Sequence, residues 1–242
     1  MMKYTTISDS HVHSCFSHDG NDPVMMLCDY AMKMGLYALT ITDHCECNMY
    51  EERNYAKAIK DSFVETKRAA AALNGKLHLY KGIELGQATQ NLQAAESILS
   101  ECDFDFVLGS LHNIRGLEDF YLLDYNKLDI HDLLCTYFDE IMELIAWGKF
   151  DSLTHLTYPL RYIVGEQHRE VSYDVYKDRV DDILKALIEQ NKALELNTSG
   201  LRQAIGKTMP CPTVIKRFKE LGGKYLTIGS DAHRWCAIRN SY

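Results

Sequence analysis

Short apolar runs rich in β-branched residues alternate with longer stretches of three- and four-residue hydrophobic spacing along almost the whole chain. The short runs, at 4–7, 38–42, 76–83, 104–108, 152–154, 193–196 and 224–228, predict strands. The longer patterns predict helices at about 23–34, 51–73, 91–100, 131–147, 173–190 and 212–221. The clearest helix has Val180, Ile183, Leu184, Leu187 and Ile188 on one face and Lys, Asp and Glu on the other. Gly35, Gly75, Gly148 and Gly222-Gly223 follow four of these helices, where a left-handed residue ends a helix at least cost. Seven strands separated by helices predict a parallel sheet, closed as a barrel or open and doubly wound. No linker, repeat or low-complexity tract divides 1–242, so a single domain is expected.

Bulk properties narrow the function classes. The chain has 242 residues, 46% hydrophobic and 25% charged, with a formal net charge of −8. No Lys/Arg-dense run supplies the basic face of a nucleic-acid binder, so no nucleic-acid partner is expected. No apolar stretch reaches the ~20 residues of a membrane span, so no membrane partner is expected either. Eight cysteines without framework spacing, behind a polar N-terminus, read as reduced thiols of a cytoplasmic protein. Cys45-Glu46-Cys47 lies beside His44, but no second Cys pair completes a zinc knuckle.

The chemistry lies in where the histidines and acids fall. Asp9, His11 and His13 follow the first predicted strand, Asp43 and His44 the second, and Glu84 the third. His112 follows the fourth, His155 the fifth, and Asp231 and His233 the seventh. In a β/α barrel the strand C-termini share one mouth, so residues scattered over the chain would meet there. In the extended pairs His11-x-His13 and Asp231-x-His233, residues i and i+2 project to the same side. Neutral imidazole and carboxylate are ligands for zinc, manganese or iron. A single His at a strand end is more often a packed structural residue, but six of the ten histidines sharing this phase is not ordinary packing. His78, His131 and His168 fall elsewhere and read as structural. In Ser17-His18-Asp19-Gly20, either His18 or Asp19 completes the site by chemistry. Arg161 and Arg202, a few residues past strands five and six, could each grip a phosphate with a forked guanidinium. Strand six ends in Asn197, Thr198 and Ser199, with no metal ligand among them, which predicts that it faces substrate.

Taken in order, Asp9-Ser-His-Val-His13, Thr42-Asp-His44, Gly82-Ile-Glu84, Gly109-Ser-Leu-His112, Thr154-His155 and Gly229-Ser-Asp-Ala-His233 resemble the PHP (polymerase and histidinol phosphatase) superfamily, with most likeness to its histidinol-phosphate phosphatase branch. The resemblance implies an α/β fold, a distorted (β/α)7 TIM-like barrel, and hydrolysis of L-histidinol phosphate to L-histidinol and phosphate in histidine biosynthesis. It implies two or three divalent ions (Zn, Mn or Fe). One is held by His11, His13, Glu84 and Asp231. A second is held by Glu84, His112 and His155, and a third by Asp19, His44 and His233. Arg161 and Arg202 match positions that bind the substrate phosphate, and His233 or a bound water is the expected general acid. The expected step is in-line attack of water-derived oxygen on phosphorus, with inversion and no phosphoenzyme. The partner expected is a small phosphorylated substrate.

Within the residues' own chemistry, a nucleotide or sugar phosphate remains an alternative substrate. An amidohydrolase-like barrel ranks lower, because no Lys sits at these mouths, and a non-catalytic metal-binding module is the reading from outside the enzymes. After His233 the family usually continues into a closing helix. Here Arg234 to Tyr242 shows no helical stripe, so the closing segment is expected to be missing and apolar surface on the first and last strands to be left uncovered.

Overall fold

A computed structural model describes residues 6–239. Its strands are β1 (Ser8–Val12), β2 (Ala38–Ile41), β3 (His44–Glu46), β4 (His78–Gly86), β5 (Phe106–Ser110), β6 (Ser152–Leu153), β7 (Ala193–Asn197) and β8 (Leu226–Gly229). The α-helices are α1 (Val24–Met34), α2 (Tyr55–Leu73), α3 (Leu92–Glu101), α4 (Ile130–Trp147), α5 (Tyr158–Leu160), α6 (Tyr173–Glu189), α7 (Pro212–Glu220) and α8 (Trp235–Arg239). The α/β alternation expected from the sequence is met, and the pairings β1–β2, β2–β4, β3–β4 and β6–β7 are all parallel.

The chain divides into two compact units, residues up to 108 with those from 228 onward, and 109–227. In the first unit the register runs Ser8↔Ala38 and Asp9↔Leu39 between β1 and β2, and Ala38↔His78 through Ile41↔Lys81 between β2 and β4. Val12 bridges in parallel to Ala232, so the segment after β8 lies along the other side of β1. Val24, Leu27 and Ala31 of α1, with Ala69 and Leu73 of α2, close over Val12, Leu39 and Ile41. Each fully buried Leu or Ile there contributes about 1.5–3 kcal/mol by leaving water. Gly35 ends α1 at φ +73°, and its N–H bonds back to the Met32 carbonyl, as its position after the helical pattern predicts.

Three expectations need correction in this unit. The strand expected at 4–7 begins outside the described residues, and the strand observed is Ser8–Val12, so Asp9 and His11 lie inside β1 instead of after it. Its Ser-Asp-Ser-His sequence hides a strand because its polar groups find partners; Asp9 Oδ1, for instance, accepts from the Ser230 N–H at 2.9 Å. Among the described residues one short strand is added to the seven expected. Chain pairing resumes after Asp43 to form β3, which lies in register with the extended end of β4, with His44 opposite Glu84. After His233 the chain forms the short helix α8, whose Ile238 is buried among Val12, Leu27 and Ala232. The Trp235 N–H bonds to Asp22, and the Trp235 ring rests 4.8 Å from Tyr30.

In the second unit α4 and α6 pack together, presenting Leu134, Tyr137, Ile141 and Ile145 and the expected Val180, Ile183, Leu184 and Leu187 to the interior. Asp129 caps α4 by accepting from the His131 and Asp132 N–H groups. β6 pairs β7 with Ser152 opposite Ala193, and the Thr154 N–H bonds to the Gly109 carbonyl at the end of β5. α5 runs on into a π-helical turn, Arg161–Glu166, which carries Arg161. No helix among the described residues is long and apolar enough to cross a membrane.

Candidate metal centre

In the first unit the alternation in β1 does what the pattern predicts: His11 and His13 project to the same side and bring their Nε2 atoms to 3.0 Å. Glu84 enters from β4, its Oε2 3.2 Å from His11 Nε2 and 3.5 Å from His13 Nε2. Asp231 enters from beyond β8, its Oδ1 3.8 and 3.4 Å from the same nitrogens. Donors bonded to one tetrahedral cation at about 2.0–2.2 Å stand roughly 3.3–3.6 Å apart, so this donor set has the spacing and chemistry of a cation site. All four side chains are buried or nearly so. Asp231 holds φ +52°, a left-handed conformation that a non-glycine residue keeps only where its surroundings enforce it. The constraint is visible: the Asp231 N–H bonds to the His11 carbonyl at 2.8 Å.

A second cluster adjoins the first. His233 Nε2 lies 3.0 Å from Asp19 Oδ2 and 3.4 Å from His44 Nε2, and His44 Nε2 lies 3.7 Å from Asp19 Oδ1. Of the two neighbours left open by chemistry, Asp19 is thus the one in the cluster. His18 is half exposed, its ring tilted 5.3 Å from that of His44. The His13 ring is stacked near-parallel to those of His44 and His233, its centroid 4.2 Å from each. The Nδ1 of His44 faces Glu84 Oε2 at 2.9 Å and Glu46 Oε1 at 3.1 Å, which fixes the ring and turns Nε2 toward Asp19 and His233.

The electrostatics suit cation binding. Burial, reinforced by the neighbouring His44 and His233, holds the His13 ring well below the ordinary histidine range and therefore neutral. Burial opposes ionisation of Asp19 and Asp231, but the adjacent imidazoles outweigh it and hold both carboxyls far below their usual range. Burial also works against protonation of His44, yet Glu84 and Glu46 prevail and raise its affinity for a proton. A cation entering here would have to displace that proton.

In the second unit His112 and His155 bring their Nε2 atoms to 3.3 Å, with the Tyr158 ring 5.1 and 5.0 Å from theirs. Arg161, half-buried, lies over the Tyr158 and Tyr162 rings at 5.9 and 5.2 Å. Arg202, also half-buried, ends the 3₁₀ turn Ser199–Arg202.

Three residues with roles here escape a motif reading. Glu46 sits two residues past His44 in an extended stretch, so the same i, i+2 rule that singled out His13 would have found it. Glu195, fully buried within the apolar run of β7, accepts from the His155 N–H at 2.9 Å and from Asn197 Nδ2 at 3.1 Å. A lone carboxylate inside an apolar strand was the available signal. Ser17 touches both His13 and Asp43, with nothing in its surroundings to mark it. Cys45 and Cys47 are buried, with the Cys47 thiol turned to the Cys45 carbonyl, and no cysteine joins a candidate cation cluster among the described residues.

Known proteins match this chain broadly. The PHP domain model matches residues 9–199. The "Probable histidinol-phosphatase" of Clostridium acetobutylicum is 29% identical over 230 residues, covering 94% of this chain and 86% of that protein. The protein of the same name from Thermotoga maritima is 31% identical over 225 residues, covering 93% and 83%. The crystal structure of histidinol phosphate phosphatase from Lactococcus lactis subsp. lactis, complexed with Zn, L-histidinol and phosphate, shares the fold with a TM-score of 0.79 over 97% of this chain and 90% of that one, at 24% identity. A family model running from Asp9 in β1 to Ser199 beyond β7, and a relative 31% identical over 93% of this chain, establish that the chain belongs to the PHP domain family.

Proposed function

We propose that this protein is a metal-dependent phosphomonoesterase that hydrolyses L-histidinol phosphate to L-histidinol and phosphate. The observation that carries the proposal is the convergence of His11, His13, Glu84 and Asp231 at cation-coordinating separations, with Asp19, His44 and His233 alongside. The names of the relatives support the choice of substrate. His11, His13, Glu84 and Asp231 would hold one divalent ion and Asp19, His44 and His233 another, while His112 and His155 would serve as ligands in the second unit. Such ions lower the pKa of water and offset charge on a phosphoryl group. The chain's own work is different. Arg161 and Arg202 bind phosphoryl oxygens through paired N–H donors. Stacking of Arg161 on Tyr158 and Tyr162 holds its guanidinium in place before substrate arrives. His233 is the side chain assigned to pass a proton to the leaving alkoxide, with a bound water as the alternative.

The test is phosphate release from L-histidinol phosphate beside a panel of nucleotide and sugar phosphates, before and after chelation and metal return. The expected result is selective turnover of L-histidinol phosphate that chelation abolishes and a divalent ion restores, with Arg161→Ala and Arg202→Ala each raising KM by about 10-fold or more, the loss of one charge-assisted bond. Equal turnover across the panel would favour the broader phosphoesterase reading, and full activity after exhaustive chelation would overturn the metal role.

A further inference from the structure

Asp43 reads as a metal ligand by its place beside His44, but its carboxylate is engaged elsewhere. It is 1% exposed and accepts from the Ser14 N–H at 2.7 Å, the Ser14 hydroxyl at 2.6 Å, the Ser17 hydroxyl at 2.6 Å and the Ser62 hydroxyl. Four donors fill it, and it belongs to none of the cation clusters among the described residues.

Ser17 is the more informative partner. A serine hydroxyl offers one proton and two lone pairs. Around Ser17 Oγ stand Asp43 Oδ1 at 2.6 Å, the His44 N–H at 3.0 Å and His13 Nδ1 at 3.2 Å. An ionised carboxylate can only accept and a backbone N–H can only donate, so two of the three capacities are assigned without choice. The Ser17 proton goes to Asp43, and one lone pair takes the His44 N–H. The remaining lone pair faces His13, so His13 Nδ1 must be the nitrogen that carries hydrogen. Reversing the arrangement, with Ser17 donating to a bare Nδ1, would give up a charge-assisted bond, about twice as strong as the neutral one gained. The other ring nitrogen, Nε2, is the atom that faces Glu84 and Asp231 at 3.5 and 3.4 Å.

We propose that Asp43 and Ser17 are positioning residues that lock neutral His13 in the Nδ1–H tautomer, so that its Nε2 lone pair points at the cation site. The proposal rests on the metal reading of that site, and it gives the Asp of Thr42-Asp43-His44 a role two hydrogen bonds removed from His13. The relay also ties His13, just past β1, to β3 through the His44 N–H, so one hydroxyl sets the ring state of one ligand and the backbone position of another.

The test uses the whole protein labelled with [15N]histidine. Long-range 1H–15N correlation spectra of the metal-free protein report which nitrogen of His13 is protonated, assigned by loss of the signal in His13→Gln. Wild type is expected to show the Nδ1–H form, Ser17→Ala to lose it, and Ser17→Thr, which keeps the hydroxyl, to retain it. Zinc affinity measured by competition with a chelating dye is expected to fall about 10- to 100-fold in Ser17→Ala and to recover in Ser17→Thr, the usual effect of removing an outer partner of a ligand. A wild-type His13 protonated on Nε2 overturns the proposal even where no variant folds, as does a Ser17→Ala protein with unchanged tautomer and zinc affinity. A wild type that binds no zinc is a separate failure: it removes the metal reading on which the relay depends, whatever the tautomer.

Discussion

Gly86 is opposite Glu46 in the β3–β4 register, and the space where its side chain would be is filled by the Glu46 carboxylate. A Cβ at Gly86 would lie 2.1 Å from Glu46 Oε2, 2.8 Å from Cδ and 3.1 Å from Oε1. Ordinary contact requires that carboxylate to retreat by about 1 Å. It stands 3.1 Å from His44 Nδ1, so a shift of that size separates the pair. Gly86→Ala should therefore have unequal effects on stability and on the site. The obstacle is the tip of a flexible side chain, which can rotate away for about 0.5–1.5 kcal/mol. For a chain of this size that lowers Tm by about 1–6 °C. His44, deprived of an outer carboxylate, should lose about 10- to 100-fold in metal affinity, equivalent to about 1.4–2.8 kcal/mol. Zinc competition titrations on wild type, Gly86→Ala, Glu46→Ala and the double variant measure both the loss and its route. If the methyl acts through Glu46, the double variant binds no more weakly than Glu46→Ala. Wild-type affinity in Gly86→Ala, or the same further loss on top of Glu46→Ala, would refute the reasoning.

Other substitutions probe different forces. Gly109→Ala aims a methyl at the Cγ end of the buried Phe150 ring, 2.9 Å from Cγ, with no flexible tip to yield, so an overpacking cost of about 1–3 kcal/mol is expected in thermal or urea unfolding; an unchanged Tm would show that the Phe150 site can relax. Asp181, held by Arg217 at 2.7 and 2.8 Å and by Lys177 at 2.9 Å, has its carboxyl pulled well below the usual range by Arg217, against the opposing effect of burial. Its folded pKa lies below the unfolded one, so its contribution is complete above about pH 4–5 and disappears as pH falls through the folded value. Asp181→Asn should thus lower Tm at pH 7, with the gap from wild type narrowing below about pH 4; an equal gap at pH 7 and pH 2.5 would assign the loss to packing instead. Removing divalent ions should lower Tm, and returning them at about 100 times Kd should restore roughly 2.7 kcal/mol; a Tm insensitive to both treatments would argue against ions binding the folded state.

The alternation of patterns fixed the α/β class, and the helices lie within a few residues of their predicted spans because a 3.6-residue hydrophobic stripe is a local property that each helix needs in order to face a core. The i, i+2 spacing of His11 and His13 likewise carries its geometric meaning in two residues, which is why the histidine and acid set could be singled out without a fold. The edges of the strands could not. Ser8–Val12 is polar by sequence and a strand in the protein because its neighbours on both sides supply the pairing. β3 exists only in register with β4, since three residues carry too little local preference to be a strand alone. The division of labour among the polar residues was equally nonlocal. Asp43 and His44 are adjacent and look alike as ligand candidates, yet Asp43 turns to three serines while His44 turns to the cluster. Sequence lists the donors and acceptors a chain possesses. Which of them are satisfied by one another, and which are left facing a shared point, is decided by residues 19 to 221 positions apart meeting at fixed distances, and only the tertiary structure supplies those.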